Sequence, residues 1–170
     1  MGFEEVIKKK TDEELVREIE EGHYVDFGNP DYSLLDGIIF NKDGTKLLFA
    51  AFSYFAALDS ITIPDSVLSI GDRAFRNCTS LITVVIGYNV VAIGDSAFSF
   101  CSKLRDIYVS DTIPPICGKM VFEGIPKNCA LYIPEGSYTA YSKADGWKEF
   151  KHIIELEKDW FENSLLPLPF

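Results

Sequence analysis

Residues 58–80 and 81–103 can be written one above the other without a gap, and nine of the 23 positions are then identical. Leu58 falls on Leu81, Ile63 on Ile86 and Val67 on Val90. Ile70-Gly71-Asp72 falls on Ile93-Gly94-Asp95, Ala74-Phe75 on Ala97-Phe98, and Cys78 on Cys101. A fixed period of this length is the mark of a stacked array, in which each repeat buries its apolar face only against its neighbours. The register runs on in both directions. Forward, Leu104, Ile107 and Val109 repeat the strand positions. One extra residue near Pro114-Pro115 then moves Cys117-Gly118 onto the Ile-Gly positions and Val121-Phe122 onto Ala-Phe, before Leu131 and Ile133 open another strand. Backward, Leu35, Ile38 and Phe40 fit the strand, Ala51-Phe52 fit Ala-Phe, and Phe55 takes the cysteine place. This predicts about five coils, starting near residues 35, 58, 81, 104 and 128.

Within a coil, L-x-x-I-x-I alternates with period two, the pattern of a short strand with one buried face. A turn such as Pro64-Asp65-Ser66 follows, and Val67 and Ile70 point back inward. Gly71 and Gly94 are expected in a backbone conformation closed to other residues. Stacking at the strand spacing of about 4.8 Å places Phe75, Phe98 and Phe122 in one interior ladder and Cys78 with Cys101 in another. Cys78 and Cys101 therefore read as small buried hydrophobes rather than a disulfide. The redox state of Cys117 and Cys129 stays open. No CxxC pair occurs, and the histidines are His23 and His152, so a zinc site built from spaced pairs is not expected.

A stack needs covered ends. Residues 1–31 carry ten acids against four bases and read as an acidic helical N-terminal cap, with Thr11-Asp12-Glu13-Glu14 as a capping box and Leu15, Val16 and Ile19 as its apolar stripe. The solenoid itself spans 32–133. Residues 134–155 read as a C-terminal cap, a turn and short helix in which Tyr138, Tyr141, Trp147 and Phe150 close the far end and Ile153-Ile154 add a final strand. Residues 156–170 form a tail rich in apolar side chains (Trp160, Phe161, Leu165, Leu166, Leu168, Phe170), expected to pack on its own chain or on a second copy. The predicted fold class is thus α+β repeat, a solenoid with a helical N-terminal cap and an α/β C-terminal cap.

The stretch Ile63-Pro64-Asp65-Ser66-Val67-Leu68-Ser69-Ile70-Gly71-Asp72-Arg73-Ala74-Phe75-Arg76-Asn77-Cys78 resembles the BspA-type leucine-rich repeat almost residue for residue. Leu131-Tyr132-Ile133-Pro134-Glu135-Gly136-Ser137 through Ala144-Asp145-Gly146-Trp147 resembles the C-terminal cap usual in that family, and Asp36-Gly37-Ile38-Ile39-Phe40-Asn41-Lys42-Asp43 its degenerate leading repeat. The resemblance covers roughly 32–155. It implies a curved, right-handed leucine-rich-repeat solenoid, borne mostly on bacterial surfaces or secreted, that binds proteins or host matrix and carries no catalytic residues or cofactor. Against a surface location stands the N-terminus, Met1-Gly2-Phe3-Glu4-Glu5-Val6, which lacks the basic start and apolar stretch of a secretory signal. Either the protein stays inside the cell or a signal has been trimmed. Gly2 is not a myristoylation site, because Val6 stands where Ser or Thr is required.

The chain carries a net charge of −10, which argues against holding nucleic acid through its phosphates or docking on an anionic membrane. With 47% hydrophobic residues it has ample material for a core, yet no apolar run approaches the roughly 18–20 residues of a spanning helix. No catalytic, cofactor-binding or metal site is expected. His152 beside the cap and His23 at a helix end lack the nucleophile and orienting group a hydrolase needs. Asn41-Lys42-Asp43-Gly44-Thr45 lacks the further acids of a calcium loop and reads as a tight turn. The candidate site is a surface: Ile39, Thr62, Val85, Tyr108 and Tyr132 form one outward column across the strands, beside Gly37, Ser60, Thr83, Asp106 and Ala130. Exposed apolar strips and tyrosines suit protein contact, although β-branched and aromatic residues also suit strands for their own sake, and packing of the apolar tail or cap over the column is the competing reading of the same residues. The expected function is a non-enzymatic protein-binding module of the adhesin type. The alternative is a structural unit that homo-oligomerises through Trp160–Phe170.

Overall fold

A computed structural model of the chain describes residues 32–35, 38–50 and 59–163, together with Glu14 and Arg17. The expected N-terminal cap, Ala51-Phe52, Phe55, Leu58, Gly37, His23 and the end of the tail from residue 164 lie outside the described residues.

The described residues form a β-solenoid of about four turns with few helices. Two sheets face each other. The front sheet is built from β4 (Ser60–Thr62), β6 (Thr83–Ile86), β8 (Asp106–Val109), β10 (Ala130–Pro134) and β11 (His152–Leu156), neighbours in that order and all parallel. The back sheet runs β1 (Tyr32–Leu35), β2 (Ile38–Asn41), β3 (Lys46–Ala50), β5 (Ser69–Ile70), β7 (Ala92–Ile93), β9 (Ile116–Cys117). Its first three strands are antiparallel and the rest parallel. Two short helices follow, α1 (Tyr138–Tyr141) and α2 (Lys158–Asn163).

The 23-residue period is the register itself. Ile61 lies beside Val84, Ile107, Leu131 and Ile153 across the front sheet, and Leu47 beside Ile70, Ile93 and Cys117 across the back. Apart from the half-buried Ile153 and Cys117, these residues are buried in the shared core. Phe75 and Phe98 stack with centroids 4.9 Å apart and planes 4° from parallel, and Phe98 and Phe122 at 5.8 Å and 9°. Beyond Phe122 the ladder stops against Trp147 and Phe150, which meet it at 54° and 76°. The polar edges of these large side chains are matched. Trp147 Nε1 donates to the Pro115 carbonyl at 2.8 Å and the Tyr141 hydroxyl to the Asp111 carbonyl at 2.7 Å, as buried polar groups require.

All four cysteines are free thiols, Cys101 and Cys129 buried and Cys78 and Cys117 half-buried. The Cys101 thiol donates to the Phe75 carbonyl at 3.1 Å. Burial pushes all four up to about 12.

Two expectations need correction. The coil expected near residue 35 does not add a strand to the front sheet. Ile38–Asn41 pairs antiparallel with β1 and β3 in the back sheet. Alternation of apolar residues fits either sheet equally well, so the pattern alone left the choice open, and the antiparallel partners on both sides decide it. Gly71 and Gly94 do not have positive φ. They are glycines because the preceding coil leaves no room for a Cβ. One built on Gly71 would sit 3.0 Å from the Leu47 carbonyl oxygen, and one on Gly94 would sit 2.3 Å from Asp72 Oδ1 and 2.5 Å from its backbone nitrogen. The left-handed positions of the coil fall elsewhere, at Arg73, Ser96 and Met120 and again at Asn77, Phe100 and Gly124.

Candidate functional site

Parallel, in-register strands put every residue of a column at the same height on the sheet, so a surface can be read directly from the pairing. On the front sheet Thr62 lies beside Val85, Val85 beside Tyr108, Tyr108 beside Tyr132, and Tyr132 beside Ile154. Their neighbours on each strand (Ile61, Val84, Ile107, Leu131) point into the core, so alternation turns this column outward. The structure thus brings together four of the five expected residues: Thr62, Val85, Tyr108 and Tyr132. The fifth, Ile39, is elsewhere. It lies on the back sheet at 2% exposure, packed with Leu48, Tyr32 and Phe49 in a small second cluster. In β2, Ile38 and Phe40 face the main core and Ile39 the opposite side, so it is neither on the front face nor accessible.

The neighbouring column contains Ser60, Thr83, Asp106, Ala130 and His152 in register. Asp106 gives the face its electrostatic character. Burial first, then the facing Tyr132 and the Asp106 carboxylate, push the Tyr108 phenol up to about 12. Burial and the nearby Asp106 carboxylate also raise Tyr132. Both phenols are therefore neutral donors throughout the physiological range.

Two residues join the site beyond the five expected. Ile154, 40% exposed, continues the column by one strand. The signal was present, because Ile153-Ile154 reads as a strand and one further step along the column reaches it. The second is Trp160. Tyr108 stacks on Tyr132 at 4.4 Å and 10°, and on Trp160 at 4.7 Å and 13°. Two rings cannot share one face of a third at these separations, so Tyr108 is sandwiched and Trp160 lies on the side of Val85. Helix α2 therefore turns back over the sheet it has just left. Phe161, edge-on to Trp160 at 5.1 Å, is buried to 3% exposure. The apolar tail signalled this docking, but nothing in its composition named Tyr108 as the seat.

Among the described residues no group of three or more His, Cys, Asp or Glu side chains could hold a metal ion. Asn41 to Thr45 form a tight turn: Gly44, at φ 67°, donates its N–H to the Asn41 carbonyl at 3.0 Å, and Asn41 Oδ1 accepts from the Lys46 N–H at 2.9 Å. No described helix is long and apolar enough to cross a membrane.

Residues 31–144 match the sequence profile of the BspA type leucine rich repeat region (6 copies). A search of curated proteins finds no match. Among solved structures the chain is similar to a leucine-rich repeat protein from Bacteroides capillosus, with 20% identity over 74% of this chain and 99% of that one and a TM-score of 0.45. It is also similar to a leucine rich cell surface protein from Faecalibacterium prausnitzii, with 19% identity over 82% of this chain and 44% of that one and a TM-score of 0.44. For the pneumococcal vaccine antigen PcpA the figures are 12% identity, 78% and 49% coverage, and a TM-score of 0.40. The chain thus spans about half the length, or less, of the last two.

Proposed function

Since the chain belongs to the BspA-type leucine-rich repeat family, we propose that it is a non-enzymatic protein-binding module whose contact surface is the outer face of the front sheet. The observation that carries this reading is the unbroken outward column Thr62, Val85, Tyr108, Tyr132, Ile154, apolar and aromatic toward its C-terminal end. Tyrosines with stacked rings and unionised hydroxyls offer apolar area together with donors at little cost in rotamer entropy, the combination that protein interfaces favour. Part of the same reading are an adhesin-type role at the cell surface or outside the cell, which the family supports, and capping of the stack by residues 1–31 and 134–155.

The test compares the full chain with its Tyr108→Ala/Tyr132→Ala variant, each immobilised and exposed to lysate and surface fractions of the native organism. The wild type is expected to retain a protein that the variant loses, at unchanged circular dichroism. Equal retention by both defeats the assignment of the face. The fraction in which a retained partner is found also tests the location.

The second reading is a structural module joined through Trp160–Phe170. It is favoured by the engagement of Trp160 with Tyr108 on the sheet face, a contact that two copies could exchange. Light scattering separates the two: assembly predicts a multiple of 19.1 kDa for the full chain, and a single mass of 19.1 kDa ends it.

A further inference from the structure

Helix α2 has six residues, and a helix that short has no stability of its own in water. Its order comes from what it touches, which is the front sheet. Only Glu157 separates it from the end of β11, so the chain reverses at once and brings Trp160 back over the column. There the indole lies flat on the free face of Tyr108, 4.7 Å away, and extends the Tyr132–Tyr108 stack by a third ring. The next position of the column on that side is Val85, a small side chain, while Tyr108 and Tyr132 on the other side are large. The gap above Val85 is therefore a step in the column, with an aromatic wall and an aliphatic floor, of the size of one ring system.

We propose that this step is a tryptophan seat, filled in cis by Trp160, and that the partner of the front face is a polypeptide presenting a tryptophan on a short helix, which displaces α2. The inference rests on the functional reading above and specifies its ligand. The seat itself displays its chemistry, since an indole already occupies it in a near-parallel stack. The tether makes α2 a competitor at high local concentration, so an external ligand binds in proportion to the fraction of molecules in which α2 has left.

The probe is a synthetic peptide spanning residues 157–170, labelled at its N-terminus and titrated by fluorescence polarisation against three full-length chains: wild type, Trp160→Ala and Trp160→Ala/Tyr108→Ser. The expected result is saturable binding to Trp160→Ala, binding to wild type weaker by about tenfold or more, and none to the double variant. A peptide with alanine in place of its tryptophan should bind none of them. The chain has two tryptophans, so in Trp160→Ala the blue-shifted emission of buried Trp147 reports that the fold is intact. If that variant does not fold, Trp160→Leu, which keeps apolar cover beside Phe161, should open the seat in the same way. Equal binding to wild type and the opened chain, or no binding to the opened chain, overturns the proposal. Partner capture insensitive to Tyr108 and Tyr132, with peptide binding intact, defeats the functional reading alone and leaves the seat standing.

Discussion

At Gly94 one coil touches the next through backbone. Asp72 Oδ1 accepts the Asp95 N–H at 2.7 Å, and one coil later Asp95 Oδ1 accepts the Lys119 N–H at the same distance. The carboxylate of each coil thus caps the next, and the glycine at 94 or 118 is what lets it come so close. The identity of Gly-Asp in both repeats is legible in sequence, but its reason is not. A glycine chosen for positive φ and one chosen for a missing Cβ look alike until the neighbouring coil is in place. The two reasons predict different chemistry. Gly94→Ala should destabilise the fold by about 1–3 kcal/mol, the usual cost of overpacking. Adding Asp72→Ala should not rescue it, because the Asp72 backbone nitrogen, 2.5 Å from the new Cβ, remains. Urea midpoints of the two variants measure this, and recovery in the double variant would show that the carboxylate alone sets the limit.

At the scale of the element, the ladder of phenylalanines and the strand columns follow from one period, so both could be read in advance. Phe98 is the rung with a ring on either side, at 1% exposure. Phe98→Ala should cost about 3–5 kcal/mol, the range for a buried aromatic cut to alanine. The same cut at half-buried Phe122 should cost less, as chemical denaturation will show. What periodicity could not place were the elements at its ends. Ile38–Asn41 has the alternation of a front strand and sits in the back sheet, which removed Ile39 from the expected surface. Helix α2 has no counterpart in the repeat, so no register pointed Trp160 toward Tyr108.

For the whole molecule, stacking removes four thiols and several phenols from water together, and stability becomes sensitive to alkali. Burial holds the folded thiols near 12, against 9 for the free group, and Tyr108 near 12, against 10. A raised folded value means that the native state keeps its proton where the unfolded chain gives it up. Stability from these groups is fully present below pH 9 and is lost as the pH climbs toward 12. Urea midpoints should therefore be level between pH 7 and 8.5 and fall steadily above 9, and Cys101→Ala should flatten the fall. By itself the sequence determined the repeat, the residues of the core and the outward column from Thr62 to Tyr132, because each is a consequence of a period that the chain repeats on itself. Only the tertiary structure decided the sheet to which the leading strands belong, the reason for the glycines, and the covering of Tyr108 by Trp160. These are contacts between segments that do not share the period, and each is settled by which surfaces the folded coils leave within reach.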